Sequence, residues 1–292
     1  MKLGIYSHCT IDEIKIGDDT YETPGGPACY CSLTARKLGF DVALATKFGS
    51  EFDPSSIFEK NKITLLDAEG SKPTTRFVLE INHDERSLWL RNMCDELDFH
   101  DVSADGILVS PVFDEISKET FEKIKKSGKP VFLDPQGFLR RVDSNNRIFF
   151  ERTDIDLTNV SVLKSDPNEV LHLTGEQGLD GVKTLQKKVE HVLFTNKRDV
   201  SLFYKGKQYS ISLPNVNIHD TVGVGDIFTT TFCCTLLKER DVLWALSFAG
   251  GAAQAALESK QIGLDKIPRK GATESNASYF YNMIKFRDVG SV

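Results

Sequence analysis

Between Leu3 and Phe194, short runs of consecutive apolar residues alternate with segments carrying helix start and stop signals, and no other feature narrows the fold as far. Leu3-Gly4-Ile5-Tyr6 is the first run. Residues 27–39 then read as a helix, with Pro27 in its first turn, Arg36 and Lys37 in its last, and Gly39 as the stop. Residues 41–46 (DVALAT) follow directly as a buried strand. The alternation returns with strands at 106–109, 131–133, 160–163 and 192–194. Helices fall at 118–126, closed by Gly128, at 167–175, begun by Pro167 and ended by Gly175, and as a pair across 226–260. Strands apolar throughout are covered on both faces, and the intervening helices supply that cover. The expected fold class is therefore α/β, with a central, mostly parallel sheet flanked by helices.

Two stretches break this pattern. Residues 11–23 (IDEIKIGDDTYET) and 74–91 (TTRFVLEINHDERSLWLR) alternate apolar with polar residues around central turns, as half-exposed antiparallel strands do. They are expected to form a small β-sheet lid, contributed by about 11–24 and 72–93, that closes on a ligand at one end of the sheet. No repeat or linker divides the chain, so 1–292 reads as one domain with a discontinuous lid. Phe77 and Trp89 read as packing groups of that lid, with a homodimer contact through the lid sheet as the alternative. Lys123-Ile124-Lys125-Lys126 reads as a solvated helix face.

Charge narrows the partners. Lys and Arg number 36 against 42 Asp and Glu, a net −6, whereas nucleic acid and anionic membranes reward clustered cations. Neither is expected as a partner. The six cysteines (Cys9, Cys29, Cys31, Cys94, Cys233 and Cys234) lack metal-ligand spacing and read as small fillers in a reducing compartment. No apolar stretch approaches the ~20 residues of a membrane helix, and the start, MKLGIYSHCT, lacks a signal-peptide run. A soluble, cytoplasmic protein is expected.

The string with most chemical content is Asp220-Thr221-Val222-Gly223-Val224-Gly225-Asp226, set just before a helical stretch. Paired glycines let a ligand approach the main chain, and the N–H groups of Gly223, Val224 and Gly225 would project from a helix N-terminus as an anion hole. A carboxylate beside such a hole repels a resting anion. It makes sense if Asp226 takes a proton from an attacking hydroxyl while the amides hold a phosphoryl group in transit. Phe228 stands where a Rossmann fingerprint needs its third glycine, and the Gly-Lys-Ser/Thr ending of a Walker A loop is missing. Spacing alone leaves open that Asp226 merely stabilises a first helical turn.

DTVGVGD resembles the D-T-x-G-A-G-D signature of the ribokinase-like (PfkB) carbohydrate kinases, and further pieces follow in that family's order over most of the chain. Gly25-Gly26-Pro27-Ala28 resembles the G-G segment at the mouth of the sugar site, and Asp12 stands where an early Asp binds substrate hydroxyls. Lys164-Ser165-Asp166-Pro167-Asn168-Glu169 is similar to the N-x-x-E motif that positions magnesium, with Asp166 in the place of Asn. Thr195 is similar to a T-x-G segment that meets the nucleotide, although 196–199 (NKRD) replaces the usual glycine-containing turn. Residues 250–256 (GGAAQAA) resemble the small-residue helix that lines the adenine pocket. Tyr30 replaces an Asn that many sugar kinases carry. Residues 134–140 (DPQGFLR) look like the D-x-Q-G-F-x-R segment of archaeal-type inositol and related polyol kinases. The amide of Gln136 suits vicinal hydroxyls and Arg140 suits a hydroxyl or phosphate; the alternative has Gln136 capping backbone and Arg140 paired with a surface acid.

The resemblance implies a ribokinase-like fold and an ATP-dependent kinase, using ATP and Mg²⁺, that phosphorylates a small sugar or an inositol-like cyclic polyol. It implies Asp226 as general base and the Gly223, Val224 and Gly225 amides as donors to the moving phosphoryl group. Asp12, Gly25, Gly26, Tyr30, Gln136 and Arg140 would surround the acceptor, with Glu169 and Asp166 organising the metal through water. Thr195, Asn196, Gly223, Gly225, Gly251 and Ala252 would meet the nucleotide. Three alternatives stand beside this reading. They are a nucleoside acceptor (Tyr30, Phe138), a sugar-phosphate acceptor (Arg140, Arg76, Arg91) and a sugar-binding regulator without catalysis. His8 and His219, near these strings, read as structural.

Overall fold

Strand β1 (Lys2–Tyr6) is buried from Leu3 onward, and the chain then leaves the sheet at once for a hairpin of β2 (Thr10–Ile16) and β3 (Asp19–Gly25). The computed structural model describes residues 1–290 except 17–18, 83–84 and 217–219. Helix α1 (Gly26–Lys37) has Pro27 in its first turn and ends before Gly39, whose φ of 85° lets the chain reverse into β4 (Asp41–Ala45). A π-helical turn (Ser55–Glu59) and β5 (Thr64–Leu66) lead to a second hairpin, β6 (Thr75–Asn82) and β7 (Glu85–Asn92). Next come β8 (Gly106–Val109), α2 (Lys118–Lys125), β9 (Val131–Leu133), the short α3 (Gln136–Leu139), and the hairpin β10 (Arg140–Val142) and β11 (Ile148–Phe150). The chain continues through β12 (Val160–Ser165), α4 (Pro167–Thr174), α5 (Gly178–Gln186), β13 (His191–Asn196), β14 (Asp199–Tyr204) and β15 (Lys207–Ser212). It closes with α6 (Val224–Glu239), α7 (Val242–Leu257), a 3₁₀ turn (Gly263–Lys266), α8 (Lys270–Met283) and β16 (Lys285–Asp288).

The main sheet has ten strands in the order β16-β15-β14-β13-β12-β9-β8-β1-β4-β5. From β5 to β13 every pairing is parallel, and β14, β15 and β16 add an antiparallel edge. Successive residues of the central strands part between two cores. Ile5, Leu44 and Leu108 pack with α1, α6 and α7, while Tyr6, Ala45 and Val109 pack with α2, α4 and α5. The α/β class and the mostly parallel, helix-flanked sheet are as the apolar runs predict.

The two alternating stretches form a separate sheet of order β3-β2-β6-β7. Each hairpin is antiparallel, as expected, but the hairpins join through β2 and β6 in parallel, with Asp12 opposite Phe77. Phe77 is 5% exposed and packs with Val112 and Phe113, while Trp89 borders an outer groove with Val78 and Arg91. Of this pair, only Trp89 is open to a contact through the lid.

One charge reading is overturned. Lys125 is 4% exposed, and its ammonium meets Glu122 at 2.6 Å and Asp156 at 2.7 Å, so the 123–126 run is only partly solvated. The six cysteines are all buried and free. Among the described residues no helix is long and apolar enough to cross a membrane.

Candidate active site

In open parallel sheets, ligands lodge beyond the carboxyl ends of the strands, and here the segment after β9 shares a cavity lining with residues of the four-stranded sheet. The cavity has a volume of about 250 Å³. It is lined by Asp12, Gly26 and Tyr30 from the first third of the chain, Asp134, Gln136, Arg140 and Lys164 from the middle, and Gly223, Gly225 and Asp226 from the last third. Phe77, Leu79 and Leu88 of the four-stranded sheet complete the lining.

Gly223 caps α6 in the left-handed region, with φ of 74°. A β-carbon there would lie 2.4 Å from the Tyr30 ring, so the phenol rests flat on the glycine and fixes the loop against α1. Val224 turns its N–H back onto the Thr221 carbonyl at 3.4 Å and does not line the cavity. Gly225 and Asp226 carry the first-turn N–H groups that border it, where the helix dipole favours negative charge.

Asp226 is partly buried on this first turn, and among the described residues no hydrogen bond or ion pair engages its carboxylate. Burial pushes the carboxyl up to about 7, helped by the Asp134 carboxylate and opposed by Lys164 and Arg140. Lys164 lies 3.2 Å from Asp134 and 3.5 Å from Glu169; burial favours its neutral form, but those two carboxylates outweigh it and hold the ammonium charged.

Four buried polar atoms of the same cavity lining have no hydrogen-bond partner among the described residues: Thr10 Oγ1, Asp12 Oδ1, Tyr30 Oη and Arg140 Nε. Burial pushes Asp12 up to about 6, against the Thr10 hydroxyl and Arg140. The Gly25-Gly26 pair permits this packing, since a β-carbon on Gly25 would lie 2.3 Å from Asp12 Oδ2 and one on Gly26 2.8 Å from the His8 carbonyl. Arg140 donates to the Val112 carbonyl at 2.9 Å and sits 5.9 Å from the Phe77 ring, not against a surface acid. Gln136 opens α3 at the cavity wall. His8 bonds Thr75 and the Asp95 carbonyl and is structural, while His219 lies outside the described residues.

Other expected groups stand apart from the cavity. Asp166 and Glu169 form a capping box at the start of α4: each side chain accepts the other's N–H at 2.8 Å. The Glu169 carboxyl, 3% exposed and raised by burial, does not line the cavity but acts on it through its contact with Lys164 and its charge near Arg140. Among the described residues no cluster of three His, Cys, Asp or Glu could hold a metal ion. Thr195 and Asn196 end β13 outside the cavity lining. Gly251 and Ala252 are buried in α7, and a β-carbon on Gly251 would meet the Thr273 carbonyl of α8 at 2.6 Å.

Residues 5–269 match the pfkB family of carbohydrate kinases. The chain belongs to that family. Among relatives, the ribokinase of Arabidopsis thaliana is 25% identical over 211 residues, a match that takes in 68% of this chain and 52% of that protein. The match thus spans about half the length of the curated relative. The fold is shared with a solved pyrophosphate-dependent myo-inositol-1 kinase converted into a myo-inositol-3 kinase (TM-score 0.80, 19% identity, 96% of this chain and 99% of that one). It is also shared with the Arabidopsis thaliana ribokinase complexed with ribose and ATP (TM-score 0.75, 19% identity, 94% and 98% of the two chains). The ribokinase-like fold expected from the DTVGVGD string and its companions is thereby established for this pfkB-family chain.

Leu79 and Leu88 are cavity residues outside every motif, and Lys164, which opens the 164–169 string, had no role assigned to it. Lys164 had a signal of its own: a lysine inside the buried strand VSVLKS needs carboxylate partners. The leucines had none, because the hairpin register that pairs Leu79 with Leu88 is a tertiary outcome.

Proposed function

We propose that the protein transfers a phosphoryl group to a hydroxyl of a single-ring polyol or sugar, inositol-like in its array of vicinal hydroxyls. The observation that carries this reading is the unengaged Asp226 carboxylate in one cavity lining with the unpartnered polar atoms of Thr10, Asp12, Tyr30 and Arg140. Asp12 and Arg140 take acceptor hydroxyls, Tyr30 and Gln136 flank the ring, and Gly25 and Gly26 let the main chain approach it. Asp226 removes the proton of the attacking hydroxyl, and the first-turn amides of α6 meet the charge on the group in transit. Lys164, held by Asp134, adds a fixed positive charge at the same wall. Bound magnesium would neutralise phosphate charge, with Asp166 and Glu169 acting on its waters only at a distance. Closure of the lid, formed by 11–24 and 72–93 of one continuous domain, excludes water from the transfer.

Two competing acceptors are disfavoured. At about 250 Å³ the cavity falls below the ~300–1,000 Å³ of larger ligand sites, which suits one ring better than a nucleoside. For a sugar phosphate, Arg76 and Arg91 are paired with Glu22 at 2.6 Å and Glu13 at 2.8 Å and lie outside the cavity lining, which leaves Arg140 as the one candidate of the three to meet a second phosphate. A regulator without catalysis has less use for a carboxylate left unengaged on the first turn of α6 beside the cavity.

ATP is the proposed donor, and a specific observation favours inorganic pyrophosphate as a second reading. Gly251 and Ala252, the adenine-side residues, are packed under α8, whereas the turn after β13 exposes Lys197 and Arg198. Initial rates over ATP and pyrophosphate, each crossed with inositol, ribose, fructose, fructose 6-phosphate and adenosine, test the proposal. Turnover on inositol or a free sugar is expected. Turnover on none of them, with any donor, overturns it.

Asp12→Ala is expected to raise the acceptor KM by roughly 10–100-fold, the value of a charged hydrogen bond, with a smaller effect on the donor KM. Equal effects on both would remove Asp12 from the acceptor side.

A further inference from the structure

Away from the reacting groups, one buried cation touches the loop that makes the anion hole. Lys266 closes the 3₁₀ turn Gly263–Lys266 and is 2% exposed. Its ammonium lies 2.8 Å from Asp220 Oδ2 and 3.2 Å from the Asp220 carbonyl oxygen. Asp220 opens the DTVGVGD string. Its Oδ1 accepts the Val222 N–H at 2.8 Å, and its Oδ2 accepts the Gly263 N–H at 2.8 Å. The same ammonium sits 5.9 Å from the centre of the Tyr30 ring, which rests on Gly223.

We infer that Lys266 is a built-in positioning cation that holds the 220–226 loop in its anion-binding shape and leaves the protein indifferent to monovalent cations. The inference rests on the phosphoryl-transfer reading for its consequence in turnover. Two oxygens of one residue, a carboxylate and a carbonyl, converge on a single point, and their mutual repulsion opens the loop unless a positive charge lies between them. A tethered ammonium supplies that charge without dissociating. It also braces the second contact of the loop, since moving Tyr30 frees Gly223. Lys266 does not itself line the cavity, so it acts on the reacting groups through the 220–226 loop and Tyr30.

The test is Lys266→Ala, assayed in choline, sodium, potassium and ammonium chloride at equal ionic strength. Turnover in choline is expected to fall roughly 10²-fold, the cost of a misplaced transition-state donor, with the acceptor KM nearly unchanged. Potassium or ammonium should recover roughly tenfold of that by entering the vacated site, while the parent protein shows equal rates in all four salts. Amide NMR shifts of Gly223 and Gly225 should move in the variant and return with potassium, a readout that needs no turnover. Stimulation of the parent by potassium, or a folded variant whose amides stay in place, overturns the inference. Should Lys266→Ala fail to fold, Lys266→Met combined with Asp220→Asn leaves no buried charge. Displaced Gly223 and Gly225 shifts in that double variant, where no carboxylate charge is left to repel the carbonyl, overturn it equally.

Discussion

Asp226→Asn is expected to cut kcat by roughly 10²–10⁴-fold while making the protein more stable above neutral pH. The loss follows from removing the one carboxylate at the anion hole that the scaffold leaves unengaged. The gain follows from linkage. Burial and Asp134 lift the folded-state carboxyl to about 7, whereas the unfolded chain titrates near ~4. Between those values the folded protein binds the extra proton, so this group's contribution to stability is present below ~4 and is lost as pH rises through about 7. Asparagine carries no charge to desolvate. The variant should therefore match the parent near pH 4 and exceed it at pH 8 by on the order of 1–4 kcal/mol, read by denaturant melts at both values. The same ionisation gives the parent a kcat/KM that climbs with pH up to about 7 and then levels. An Asp226→Asn protein that keeps its activity would remove the general base. An inactive one no more stable at pH 8 than the parent would show that the carboxylate is already compensated in the fold.

How much of this was readable before the coordinates depended on where each signal resides. The runs at 3–6, 41–46, 106–109 and 131–133 became central strands because a residue apolar on both neighbours' sides can only be covered on both faces. The capped helices followed for the same local reason, down to the left-handed glycines at 39, 128 and 175. The antiparallel edge was not legible, since KQYSIS and KFRD carry too little apolar character to mark β15 and β16. The parallel join of β2 to β6 was likewise hidden, because register between two hairpins is set by what lies beneath them.

The candidate site divides in the same way. Its glycines and Asp226 are visible as a string because the backbone there must adopt angles and spacings that few sequences allow. Its cations are not. Lys125, Lys164 and Lys266 are all nearly buried, yet apart from the apolar strand around Lys164 nothing local separates them from the solvated lysines of the chain. A buried ammonium is decided by carboxylates distant in sequence: Asp156 for the first, Asp134 for the second and Asp220 for the third.

The two glycines of the loop should fail for different reasons when each is changed to alanine. At Gly223 the cause is internal. Its φ of 74° disfavours any side chain, and the new β-carbon would stand 2.4 Å from the Tyr30 ring. Gly223→Ala should displace the loop, lower kcat by roughly 10²–10³-fold as loss of a transition-state donor does, and lower the melting temperature as well. Adding Tyr30→Ala relieves the clash but not the backbone angle, so only part of the stability should return. At Gly225 the structure offers no internal objection: nothing lies within 4 Å of the β-carbon position. Alanine there should leave the melting temperature unchanged or raise it, since it favours the helix. If the moving phosphoryl group lies against this main chain, turnover must still fall, because the methyl group occupies space that only a ligand would otherwise fill. A Gly225→Ala protein with full stability and full turnover would therefore move the phosphoryl group away from the α6 N-terminus, whatever the behaviour of Gly223.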